Sequence, residues 1–137
     1  MNAQTERLTL SGPAGAIEAV RDSANLADGA APRGVAIIAH PHPLFGGTMD
    51  NKVVQTLARA FVQCGWTAVR FNFRGVGATA GVYDEGRGEL QDLLAVVEQV
   101  APAAAGQPLA LAGFSFGAFV TSHALEALWP TQRVEKA

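Results

Sequence analysis

The amino-acid sequence predicts an α/β protein with a largely parallel sheet. The apolar run at residues 35–39 is continuous rather than alternating, as is typical of a strand covered on both faces, and the segments 67–73 and 109–112 are also predicted strands. Segments with helical spacing of apolar residues separate and follow these strands, and strands that alternate with helices form parallel sheets with right-handed crossovers. We therefore expect residues 1–137 to form a single domain, a three-layer α/β/α sandwich.

The composition excludes several classes of partner. Hydrophobic residues make up 49% of the chain and charged residues 16%, and the formal net charge is −2, so no basic surface favours nucleic acid or an anionic membrane. The single cysteine, Cys64, rules out an internal disulfide. Residues 1–7 lack the apolar core of a secretory signal, and no apolar run approaches the roughly 18 residues that span a bilayer. A cytoplasmic protein without a membrane or nucleic-acid partner is expected.

The first part of the chain predicts an antiparallel hairpin and a loop before the first buried strand. Two short strands at 7–10 and 16–21 flank a turn at 11–15 that contains Gly and Pro. The segment 22–33 is rich in Ala, Asp, Gly and Pro, and we expect a surface loop there. The continuous run at 35–39 then predicts a buried strand.

Three segments carry the apolar spacing of amphipathic helices. The first begins at an N-cap within 48–51, ends by Gly65, and has an apolar stripe formed by Val54, Leu57, Ala58, Phe61 and Val62. The second ends before Pro102, and its stripe comprises Leu90, Leu93, Leu94, Val97 and Val100. The third ends before Pro130, and its stripe comprises Phe116, Phe119, Val120, Ala124 and Leu128.

One serine stands at the corner between the strand at 109–112 and the last helix. Gly113, Ser115 and Gly117 satisfy G-x-S-x-G, in which a serine sits on a strained strand-to-helix turn with its hydroxyl held above the sheet. Such a turn needs positive φ and close backbone approach, which favour glycine. We expect Ser115 to have a positive φ.

The sequence resembles the α/β-hydrolase superfamily, in particular its small bacterial esterase-like and dienelactone-hydrolase-like members. The resemblance rests on HPHPLFGG at 40–47, FRGVG at 73–77 and GFSFG at 113–117, in that order after successive strands. It implies the strand order 1-2-4-3-5 and a serine hydrolase acting on small esters or related acyl compounds. It also implies that Ser115 is the nucleophile and that the oxyanion is held by the N–H of Phe116 and by an N–H from the loop after the third strand.

The second oxyanion donor can be argued from the loop itself. Pro41 and Pro43 have no N–H, so we expect the main-chain N–H of His42, with Leu44 as the alternative. We expect no metal and no cofactor. His40 and His42 supply at most two ligands, whereas a zinc or dinuclear centre needs three or four.

The chain departs from the family pattern after the serine. The resemblance expects an acid and then a histidine to follow. The 22 residues after Ser115 contain no Asp, two glutamates, Glu126 and Glu135, and one histidine, His123. In a helix His123 lies about 12 Å along the axis from Ser115, beyond hydrogen-bond reach, so we expect it to be structural. These observations predict a truncated or amino-terminal part of the full fold. We expect its hydrolase activity to be impaired by loss of the triad acid and base.

The strand at 109–112 is expected to lie at the edge of the sheet. Without further strands it becomes a sheet edge with unpaired main-chain groups, and we expect self-association through it.

Three other interpretations stay open. The segment 75–80 fits the G-x-G-x-x-A pattern of a dinucleotide-binding module, although Gly81, Gly86 and Gly88 interrupt the helix that should receive the pyrophosphate. A non-enzymatic hydrolase-fold fragment that acts as a binding or assembly partner is the second. Ser115 as a simple helix cap is the third. We interpret 74–77 as a structural turn and assign only a helix-dipole role to the acids that follow it, Asp84, Glu85, Glu89 and Asp92.

Overall fold

The computed structural model describes residues 5–27 and 29–137, and within them six strands and three α-helices; three strands come first, and helices then alternate with the remaining strands. The strands are β1 (Thr5–Gly12), β2 (Gly15–Asp22), β3 (Val35–Ala39), β4 (Thr67–Phe71), β5 (Leu109–Gly113) and β6 (Val134–Lys136). The helices are α1 (Lys52–Gln63), α2 (Arg87–Val100) and α3 (Phe116–Leu128). Each predicted strand and helix is therefore present, with boundaries that differ by a few residues.

The strands form one sheet in the order β1-β2-β4-β3-β5-β6. The hairpin β1–β2 and the pair β2–β4 are antiparallel, while β4, β3, β5 and β6 run parallel. The predicted order 1-2-4-3-5 is confirmed. Parallel pairing brings the carboxyl ends of β3, β4 and β5 to one edge of the sheet, where the three sequence motifs begin.

The strand β6 corrects the prediction that residues 109–112 form the sheet edge. It pairs parallel to β5, with Val134 opposite Leu109 and Lys136 opposite Ala110. The turn after α3 returns the chain so that the Leu109 N–H donates to the Arg133 carbonyl across 2.8 Å. Three residues with one apolar side chain carry no recognisable period, so the sequence could not predict this strand.

Apolar side chains cover both faces of the sheet, as predicted. The cluster between the sheet and the helices α2 and α3 includes Ile17, Phe71, Phe73, Leu93, Val97, Leu109, Leu111 and Val120. The cluster between the sheet and α1 comprises Ile38, Val54, Ala58, Val62 and Ala68. The arrangement is a three-layer α/β/α sandwich.

The ends of helix α1 show why local sequence signals were sufficient to predict this helix. The Asn51 side chain accepts the N–H groups of Val53 and Val54 at 2.9 and 3.2 Å, which satisfies two donors that an uncapped helix end leaves unpaired. Gly65 follows the helix with φ of +91°, a conformation that favours glycine. No helix within the described part of the chain is long and apolar enough to cross a membrane.

Candidate active site

Ser115 lies between β5 and α3 in a strained backbone conformation. Its φ is 58° and its ψ is −117°, and the residue is exposed to solvent. A non-glycine residue with positive φ costs of the order of 1 to 3 kcal/mol unless its surroundings hold it in place. The predicted positive φ is confirmed.

The two glycines of the motif permit close packing rather than unusual dihedral angles. Neither Gly113 nor Gly117 has a φ in the left-handed region. A Cβ on Gly117 would lie 2.5 Å from the Ala39 carbonyl carbon and 2.6 Å from the His40 oxygen. A Cβ on Gly113 would lie 2.5 Å from the Gly117 carbonyl carbon. The expectation that glycine supplies the positive φ is wrong, because the serine itself adopts it and the glycines let backbone approach backbone.

Two polar groups at this corner have no hydrogen-bond partner among the described residues. The Ser115 hydroxyl makes no hydrogen bond with any residue that the structure describes, so it does not act as the helix cap. The main-chain N–H of Phe116 likewise has no acceptor among these residues, whereas the next N–H, that of Gly117, donates to the Phe114 carbonyl across 3.0 Å. A hydroxyl and a free N–H therefore stand side by side in the chain.

The loop after β3 leaves the main-chain N–H of His42 free. The Leu44 N–H donates to His42 Nδ1 across 3.1 Å, and the N–H groups of Phe45 and Gly47 both donate to the His42 carbonyl. The His42 N–H has no acceptor within residues 5–27 and 29–137. Of the two donors weighed from the sequence, the N–H of Leu44 is engaged and that of His42 has no acceptor among the described residues.

The His42 side chain joins this loop to the serine corner. Its ring centroid lies 4.9 Å from that of Phe116 and 4.8 Å from that of Tyr83. Its Nε2 is 3.1 Å from the Tyr83 hydroxyl. The residues that follow β3 and β5 thus meet through an imidazole–aromatic contact.

His40 is part of the core and offers no proton acceptor to the site. Its ring is fully buried, Nε2 accepts the Phe73 N–H across 3.0 Å, and Nδ1 donates to the Pro41 carbonyl across 2.7 Å. Burial lowers the pKa of His40 to about 4, against the opposing effect of the Pro41 hydrogen bond, so the ring is neutral at pH 7.

Three residues after Ser115 remain as candidates for a catalytic acid or base. His123 is exposed on α3, with its ring 4.8 Å from that of Phe119. Glu126 and Glu135 are exposed, and none of the three has a hydrogen bond to Ser115. In the described residues no group of three His, Cys, Asp or Glu side chains could hold a metal ion.

Sequence reasoning missed the role of two buried acids on α2. Asp92 accepts two hydrogen bonds from Arg74, at 2.9 and 2.8 Å, and Glu89 accepts the N–H groups of Asp84 and Gly86. Both carboxylates are buried, with 1% exposure for Asp92 and 0% for Glu89. They hold the segment before α2 by hydrogen bonds, in addition to the helix-dipole effect that the sequence predicts. The arginine of the FRGVG motif is the partner of Asp92, but its pairing over 18 residues has no local signature.

The glycine pattern at 75–80 does not form a dinucleotide site. That motif requires a helix directly after the loop, whereas α2 begins only at Arg87. The Gly77 position is instead crowded by the amide of Asn72, 2.7 Å from where a Cβ would lie. The dinucleotide interpretation is wrong, because these glycines form tight turns after β4.

The chain is similar to a family model and to solved structures of α/β serine hydrolases. The hydrolase family model described as serine aminopeptidase, S33, matches residues 30–135. An α/β serine hydrolase without lid from Xanthomonas campestris is 45% identical, with a TM-score of 0.85 over 94% of this chain and 59% of that one. An α/β serine hydrolase homologue from Coxiella burnetii is 44% identical, with a TM-score of 0.81 over 91% of this chain and 58% of that one.

A curated relative is also similar. An uncharacterized protein of Rickettsia prowazekii is 44% identical over 89 residues, which are 63% of this chain and 37% of the relative. The chain therefore spans less than two thirds of the length of each of these three proteins.

Proposed function

From the premise that this chain belongs to the α/β-hydrolase family described as serine aminopeptidase, S33, we propose that it serves a serine hydrolase acting on small esters or related acyl compounds. The observation that carries the proposal is the conformation of Ser115, an exposed serine with φ of 58° and an unpartnered hydroxyl at a strand-to-helix corner. Strain of this kind persists where the surrounding structure enforces it, and it concentrates at active sites.

In the proposed reaction Ser115 is the nucleophile. Its Oγ forms a bond to the acyl carbon, the carbonyl electron pair moves onto oxygen, and the alcohol leaves with a proton when the carbonyl reforms. Water then attacks the acyl carbon, the bond from that carbon to Oγ breaks, the acid leaves, and a proton from the water returns to Oγ. The free N–H groups of Phe116 and His42 are the donors for the developing oxyanion, and losing one such donor typically costs about 10²- to 10³-fold in turnover.

The hydroxyl proton must pass to a general base. No described side chain is hydrogen-bonded to Ser115, and both ring nitrogens of His40 and of His42 already have partners. Full activity therefore requires a base that these residues do not supply. This chain covers 59% of the Xanthomonas protein and 58% of the Coxiella protein. These coverages support a general base that comes from outside the matched region.

The experiment is a chimera in which this chain is joined to the part of the Xanthomonas protein that it does not cover. We expect the chimera to hydrolyse p-nitrophenyl acetate and Ser115→Ala in the same chimera to abolish turnover. Ser122→Ala is the matched control, because Ser122 is an exposed serine on α3 whose hydroxyl bonds to the Phe119 carbonyl. Turnover that survives Ser115→Ala, or a folded chimera without turnover, would contradict the proposal and favour a non-enzymatic binding role.

A further inference from the structure

We propose that Tyr83 is a positioning residue that holds the loop 41–47 with the His42 main-chain N–H free. The inference rests on the proposed function, in which that N–H binds the oxyanion. The Tyr83 hydroxyl lies 3.1 Å from His42 Nε2, and the tyrosine is half-buried beside the loop. The distance is that of a hydrogen bond.

The direction of this hydrogen bond follows from the other ring nitrogen. The Leu44 main-chain N–H can only donate, and it donates to His42 Nδ1, so Nδ1 carries no proton. The proton of the neutral ring is then on Nε2, which donates to the Tyr83 oxygen. One imidazole thereby links the tyrosine to the loop backbone.

The consequence for the loop is specific. With His42 held in this tautomer, Nδ1 keeps the Leu44 N–H, and the His42 carbonyl keeps those of Phe45 and Gly47. The His42 N–H is left without an acceptor among the described residues. If the ring rotates or changes tautomer, Nδ1 no longer accepts from Leu44 and the loop loses its inner hydrogen bond.

Tyr83 is itself held by α2. The carboxylate of Glu89, fully buried, accepts the N–H groups of Asp84 and Gly86 at 2.8 and 2.9 Å, directly after the tyrosine. Arg74 at the start of the same segment is bonded twice to buried Asp92. Both ends of the segment 74–86 are therefore attached to one helix by charge-assisted hydrogen bonds, which are the stronger kind.

The ring of Tyr83 also reaches the second oxyanion donor. Its centroid lies 4.8 Å from that of His42 and 5.8 Å from that of Phe116. Tyr83 thus contacts the two residues whose N–H groups are proposed to act together. A group that supports both donors is placed to set their relative position.

The first test uses Tyr83→Phe in this chain, because it removes the hydroxyl and keeps the ring. We expect the exchange rate of the Leu44 amide, measured by NMR, to rise about five- to tenfold, the effect of losing one hydrogen bond. We also expect long-range proton–nitrogen spectra to show the His42 ring as a mixture of tautomers. Val82→Ala, at the neighbouring and largely exposed position, is the control that leaves both unchanged.

The second test measures hydrolysis of p-nitrophenyl acetate by the chimera described above. Tyr83→Phe is expected to lower kcat about tenfold and to leave KM within about twofold, since only the oxyanion donor is displaced. Unchanged Leu44 exchange and an unchanged His42 tautomer would overturn the inference, and so would an unchanged kcat. Turnover that is independent of Ser115 would instead reject the proposed function, and the amide and tautomer measurements would then decide the role of Tyr83.

Discussion

Phe73 donates its main-chain N–H to Nε2 of His40 across 3.0 Å, so the segment after β4 is bonded directly to the residue after β3. The two rings also meet edge to face, with centroids 4.8 Å apart. The bond requires Nε2 to be unprotonated, and it lies in the core. A protonated His40 would lose this acceptor and place a charge among apolar side chains.

The first prediction is an acid-sensitive stability that comes from His40. In the unfolded chain His40 takes up a proton near its ordinary pKa of 6.5, whereas in the folded protein burial lowers the pKa to about 4. Between these values the unfolded state binds more protons, so stability falls as pH falls from about 6.5 to 4, by about 3 kcal/mol. Urea unfolding at several pH values measures this loss. In His40→Gln this component is absent, and a variant with the wild-type pH dependence would contradict the assignment.

The second prediction concerns the strain at Ser115. Ser115→Ala removes the hydroxyl and keeps the strained backbone, whereas Ser115→Gly removes both. Glycine tolerates positive φ but loses more conformational entropy on folding, so the net gain is smaller than the strain. We expect the glycine variant to be about 1 kcal/mol more stable than the alanine variant in urea unfolding. Equal stabilities would mean that the strain does not exceed the conformational entropy that glycine loses on folding, and would contradict the prediction.

The third prediction concerns the packing of Gly117 against the end of β3. A Cβ there would lie 2.5 Å from the Ala39 carbonyl carbon, and backbone cannot move aside as a flexible side chain can. We expect Gly117→Ala to cost about 3 kcal/mol or to prevent folding. Gly106→Ala is the control, because that glycine has φ of +68° and no atom lies within 4 Å of the position that its Cβ would take. The control should cost about 1 kcal/mol, and equal losses in urea unfolding would contradict the packing argument.

The fourth prediction is that the 137-residue chain alone is nearly inert toward p-nitrophenyl acetate. No base contacts the Ser115 hydroxyl among the described residues. In subtilisin, removing the catalytic histidine alone lowers kcat about 10⁶-fold. A spectrophotometric assay against Ser115→Ala checks this. Robust turnover that depends on Ser115 would show that a histidine such as His42, or a second molecule, serves as the base.

The fifth prediction is self-association of the chain. We still expect it, although β6 and not β5 forms the edge of the sheet. The strand β6 pairs only with Leu109 and Ala110, and beside the rest of β5 lies a largely apolar groove of about 580 Å³. Exposed apolar surface next to an unpaired strand favours association. Light scattering should show dimers or larger species at micromolar concentration. Leu57→Glu, in the groove, should reduce their amount and Thr56→Glu, its exposed neighbour on α1, should not; a monomeric wild-type chain would contradict the prediction.

Much of this fold was predictable because the information is local. The helix α1 is specified by its Asn51 cap, its apolar stripe and Gly65, which are close together in the chain. The buried strands β3, β4 and β5 are specified by short segments rich in apolar residues. The serine corner is specified by three residues whose backbone spacing leaves few conformations.

The tertiary structure alone decided the contacts that join distant segments. Arg74 and Asp92, Tyr83 and His42, and Phe73 and His40 are separated by 18 to 41 residues, and no local pattern distinguishes these partners from other side chains of the same type.

For this protein the sequence by itself determined the three helices, the strands β1 to β5 and the corner that carries Ser115, because helix caps, apolar periods and turn residues act over a few residues. Only the tertiary structure decided which ring nitrogens of His40 and His42 are protonated, which main-chain N–H groups have no acceptor among the described residues, and that β6 covers part of β5. Most of these outcomes depend on groups that are close in space and far apart in the chain. The Phe73 N–H reaches His40 Nε2, and the Tyr83 hydroxyl reaches His42 Nε2, only when the sheet has brought the ends of its strands together.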